Sequence, residues 1–147
     1  MIEFTVTPHK IKQRRTVKVY IYDTVADLRR AANKYDLKTK LHGADYHNDT
    51  LGVTHRFERI NVDTDESHPN VAIIRLAATH LTTRIISHEA AHASVWIYQL
   101  DVSEQPPSPD VSIDDEEHFC HLVSDITSAI VDQIYKRNLL QPPIAKK

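Results

Sequence analysis

The chain has 147 residues, 41% of them hydrophobic and 26% charged, which suits a single domain over residues 1–147 and excludes intrinsic disorder. A net charge of −2 argues against general binding to nucleic acid or an anionic membrane, and no apolar run approaches the length of a bilayer span. One cysteine, Cys120, excludes an intramolecular disulfide.

Residues 1–6 have neither the charged start nor the long apolar stretch of a signal peptide, so a cytoplasmic protein is expected. The basic run from Lys10 to Arg15 reads as a solvated lead-in to a strand. Residues 16–22 alternate in polarity and predict that strand. Asp23 or Thr24 then caps a helix running to about Tyr35, with Val25, Leu28 and Ala31 or Ala32 on its apolar side. Residues 36–49 are polar and turn-rich. Residues 52–62 alternate again and predict a second strand, and 63–70 form a turn cluster. The apolar, β-branched run 71–77 predicts a third strand, either an internal one or one with a free edge that an extended peptide can join.

A long helix follows. Ile86, Ala90, Ala93, Ile97 and Leu100 recur at spacings of four and three, and Thr79, Thr82 and Thr83 offer capping oxygens. Within it stands His88-Glu89-Ala90-Ala91-His92, an H-E-x-x-H motif. Histidines four apart lie one above the other on a helix face, so both rings can converge on one ion. The glutamate between them can take a proton from a metal-activated water without ligating. On a helical wheel these three residues fall beside the apolar stripe, sharing their face with Ile85 and Trp96. The pattern points to zinc as cofactor, His88 and His92 as ligands, and Glu89 as general base. Six other histidines, His9, His42, His47, His55, His68 and His80, are scattered, and most of them read as surface or loop residues.

A catalytic zinc takes three protein ligands and keeps a fourth position for water. After the proline-rich link 101–110, a second long helix opens with Asp114, Asp115, Glu116 and Glu117, acids that suit its positive N-terminal end. Phe119, Val123, Ile126, Ile130 and Ile134 form its core stripe, with Leu122 and Ala129 beside it. The segment Glu117-His118-Phe119-Cys120-His121 resembles the glutamate-helix motif of gluzincins, the thermolysin-like and aminopeptidase-like zinc peptidases. That resemblance makes Glu117 the third ligand, Phe119 a core anchor and Cys120 a small packing residue. His121 stands where the thermolysin branch has an acid. Glu116, nearer the Phe119 stripe, is the rival ligand, and His118 and His121 are further alternatives. The chain is also similar, over about residues 71–135, to small intracellular H-E-x-x-H proteins of the ImmA/IrrE type and their phage-borne relatives.

The predicted element order is β-α-β-β-α-α. It implies an α+β domain with a small twisted sheet of about three strands packed on helices, and the resemblance implies that the H-E-x-x-H helix and the following glutamate helix are arranged as in zincins. The expected activity is zinc-dependent hydrolysis of a protein or peptide substrate. The oxyanion donor is left open among His118, His121, Tyr46 and Tyr98. The alternative is a zinc-binding regulatory or interaction protein that cleaves nothing.

Overall fold

The structure, a computed structural model, describes residues 1–9, 14–39, 47–56, 59–61 and 66–140. Four strands form an open mixed sheet in the order β1-β2-β6-β3: β1 (Ile2–Val6), β2 (Thr16–Tyr22), β3 (Gly52–Arg56) and β6 (Asn70–Ala77). β1 and β3 pair antiparallel with their neighbours, whereas β2 and β6 run parallel. A separate two-stranded ribbon joins β4 (Arg59–Asn61) to β5 (Glu66–His68). The helices are α1 (Val25–Thr39), α2 (Thr83–Asp101) and α3 (Ile113–Lys136), and none is long and apolar enough to cross a membrane among the described residues.

Strand alternation divides the sheet's side chains between two cores. Val17, Val19 and Ile21 of β2, with Ile74 and Leu76 of β6, pack against Ile86, Ala90, Ala93 and Ile97 of α2 and Leu122, Ile126, Ile130 and Ile134 of α3. On the opposite face Tyr22, Val53 and Ala77 pack against Leu28 and Ala32 of α1. The parallel β2–β6 pair therefore lies covered on both faces, as the near-continuous burial of both strands requires. The apolar stripes expected on α2 and α3 are the buried ones, although Leu100, Phe119 and Val123 are only half-buried.

Several sequence expectations change. β1 is an additional strand, so among the described residues the main sheet has four strands where about three were expected. The expected second strand is β3 followed by β4, which belongs to the ribbon. α1 runs on to Thr39, with Thr24 at its start: the Thr24 hydroxyl accepts the Asp27 amide at 3.1 Å. β6 is internal, paired on both sides, which is one of the two readings the sequence leaves open, and among the described residues the sheet edge beside α2 belongs to β3. Arg15 is not solvated. Its guanidinium donates to Asp101 Oδ1 from Nε at 2.9 Å and from an Nη at 2.6 Å, a buried pair tying the lead-in of β2 to the end of α2. Residues 10–13 of the basic run, Tyr46 and the tail 141–147 lie outside the described residues.

Candidate metal centre

α2 begins where the Thr82 hydroxyl accepts the Ile85 amide at 3.1 Å, satisfying one of the orphan donors of the first turn. This cap fixes the helix phase. Ile86, Ala90 and Ala93 point to the core, and His88 and His92 are placed on the exposed shoulder. The two imidazoles converge. Their Nε2 atoms are 3.2 Å apart, with ring centroids separated by 4.8 Å and planes at 81°. Two nitrogens each about 2.0–2.1 Å from a tetrahedral zinc are separated by roughly 3.3–3.4 Å, so this spacing suits the metal.

Glu89 lies between them in sequence but turns inward and is only 5% exposed. The Thr54 hydroxyl of β3 donates to Glu89 Oε1 at 2.8 Å and stands 3.1 Å from its carbonyl oxygen. Burial raises the Glu89 pKa above the ordinary carboxylate value, and the Thr54 hydrogen bond and the charges of His88 and His92 oppose that shift. Gly52 completes the seat. A Cβ there would come within 3.1 Å of Glu89 Cγ, Glu89 Oε2 and Ile85 Cγ2. The strand can approach the helix this closely only because position 52 has no side chain. Gly52, Thr54 and Arg56 share the face of β3 turned to α2. Arg56 lies 5.5 Å from the centroid of the Trp96 ring.

A cleft of about 790 Å³ opens between the segment leading into β3 and the first half of α2. Asp49, Leu51, Gly52, Ile85, His88 and Glu89 are among its lining residues. The motif glutamate and one of its histidines therefore face a space large enough for a peptide segment.

The α3 residues are placed elsewhere. Phe119 packs edge-on against Tyr98, with ring centroids 6.1 Å apart, which sets the first turns of α3 beside the end of α2. Tyr98 lies six residues beyond His92, about 9 Å along the helix. Glu117 is exposed, and its Oε2 is 3.7 Å from Nε2 of His121 on its own helix. Glu116 is exposed as well, and Cys120 is exposed rather than packed. Tyr98 is fully buried and does not line the cleft. Among the described residues, the one His/Cys/Asp/Glu group whose ligand atoms all lie within 4.8 Å of one another is Asp36, His47 and His55, so Glu117 is not gathered with His88 and His92. His47 and His55 are buried, exceptions to the reading of most of the scattered histidines as surface or loop residues.

Thr54 and Gly52 were missed from the sequence. The chain has only two glycines, and one inside a strand pattern is a recognised sign of close backbone approach. No protein-family profile, characterised protein or solved structure matches the chain.

Proposed function

We propose that the protein is a zinc-dependent peptidase, with His88 and His92 holding the metal and Glu89 acting as general base. The observation that carries this reading is the convergence of the two Nε2 atoms at 3.2 Å beside a buried glutamate on an open cleft. When bound, zinc supplies Lewis acidity, polarising the scissile carbonyl and bringing water's pKa toward neutrality. Glu89 takes the proton from the attacking water and passes it to the leaving amine. Thr54 holds the Glu89 carboxylate, and Gly52 leaves room for it. Among the described residues β3 is the last strand in the sheet order, so in this reading an extended peptide adds to its outer edge and runs along the cleft. Glu117 remains the proposed third ligand; it is exposed and is not gathered with the imidazole pair. In this reading the protein is a cytoplasmic enzyme of the zincin type.

One observation favours a second reading. The α3 carboxylates stand away from the imidazole pair, as in a protein that binds zinc weakly or conditionally and regulates a partner without cleaving it. Zinc analysis of purified protein followed by digestion of a peptide library separates the two. The peptidase reading expects Glu89→Gln to keep the α2 zinc and lose cleavage, and a His88→Ala/His92→Ala double variant to lose cleavage together with the α2 equivalent of zinc. Cleavage by metal-loaded Glu89→Gln at the wild-type rate would eliminate Glu89 as base. Zinc binding by wild type with no cleavage of any peptide supports the regulatory reading.

A further inference from the structure

Asp36, His47 and His55 come from three different places in the chain and meet on the α1 face of the sheet. Asp36 lies in the last turns of α1, His47 opens the turn before β3, and His55 projects from β3 toward α1. Their exposures are 1%, 7% and 5%. His47 Nε2 contacts Asp36 Oδ2, and His55 Nδ1 lies 3.5 Å from Asp36 Oδ1, so each oxygen of one carboxylate faces a different imidazole. The two rings meet edge to face with centroids 5.7 Å apart, and Tyr35 packs over His55 at 4.1 Å.

The surroundings hold this arrangement in place. The His47 amide donates to Asn33 Oδ1 at 2.9 Å. The Thr50 hydroxyl donates to the His47 carbonyl at 2.9 Å, and Arg29 Nε donates to the Thr50 carbonyl at 2.9 Å. The turn is thereby pinned to α1 before any ion is considered. A single imidazole suffices to pair a buried carboxylate. A second one on the other oxygen, with the three ligand atoms within 4.8 Å, gives the two-histidine, one-carboxylate donor set of divalent transition metals.

We propose that Asp36, His47 and His55 form a buried binding site for a divalent transition-metal ion, with zinc the natural occupant for this nitrogen and oxygen donor set. The site does not depend on the α2 pair. Successive residues of β3 serve opposite faces, Thr54 holding Glu89 and His55 facing Asp36. Its role is structural. It ties α1 to the turn whose next residues, Asp49 to Gly52, form one wall of the cleft.

The test uses the full chain carrying His88→Ala and His92→Ala, which leaves this trio untouched. Stripped protein is titrated with Zn²⁺ under equilibrium dialysis and with Co²⁺ in the visible. The expected result is one equivalent of either metal, cobalt ligand-field bands, and loss of that equivalent when Asp36→Asn or His55→Ala is added. Imidazole NMR resonances of His47 and His55 should shift on zinc addition, a readout that needs no substitution in the trio. A folded double variant that binds no metal, unmoved His47 and His55 resonances, or an unchanged equivalent after Asp36→Asn would each overturn the proposal. Wild type binding one equivalent and the double variant none would leave the α2 pair standing and remove this site. One equivalent in both would retain this site and remove the α2 pair.

Discussion

Glu89 shows how a single residue's chemistry depends on a neighbour far away in sequence. Its carboxylate is buried, and the Thr54 hydroxyl is its described hydrogen-bond donor. Thr54→Val keeps the shape and removes that donor, leaving a buried acceptor unsatisfied at a cost of about 1–3 kcal/mol. Urea denaturation of the metal-free protein should show that loss, and Thr54→Ser should recover most of it. Gly52→Ala tests position rather than hydrogen bonding. The new Cβ meets Glu89 and Ile85 at 3.1 Å, and both must give way. The fold should persist, while under the proposed peptidase function turnover drops by about tenfold or more, because small displacements of a general base are costly. Wild-type kinetics for Gly52→Ala would show that the position of Glu89 is unimportant. His88, Glu89 and His92 were legible from the sequence because their relation is local, fixed by helix periodicity. Thr54 and Gly52 were not, because the β3–α2 approach is tertiary.

At the scale of elements, local signals placed the helices well and strand pairing poorly. The threonine cap, the four-and-three stripe on α2 and the acidic start of α3 each act within a few residues, so they predict helix position directly. Strand order depends on contacts between distant segments. For this reason β1 has no counterpart in the sequence reading, and the choice between an internal and an edge place for β6 stays open until its pairing with β2 and β3 is seen. The Arg15–Asp101 pair was unreadable for the same reason, since its partners are 86 residues apart. Both side chains are nearly inaccessible, at 6% and 9% exposure, so removing one leaves a buried charge without its partner. Arg15→Ala should destabilise the fold by about 3–5 kcal/mol, and Arg15→Met with Asp101→Leu should restore much of that. Chemical denaturation of the two variants makes the comparison. Thr82→Ala should have a smaller effect, about 1 kcal/mol, through loss of the α2 cap.

For the whole molecule, β3 is the shared wall between two chemically separate faces. Gly52 and Thr54 serve the α2 cleft, whereas Val53 and His55 belong to the α1 core and the buried trio. Ions bound on both faces would stabilise the same strand from opposite sides, because each binds the folded chain in preference to the unfolded one. At free zinc about 100 times Kd, each site contributes about 2.7 kcal/mol. In a chain of this size that is a rise in Tm of roughly 5–11 °C per site. The gain should shrink in acid, since protons compete with metal for the imidazoles. Zinc added to wild type should therefore raise Tm about twice as much as zinc added to the His88→Ala/His92→Ala protein. Amide exchange should slow in β3 in both proteins, and in the middle of α2 in wild type alone. Equal Tm gains in the two proteins would place all the metal on the α1 face. A gain confined to wild type would place it on α2.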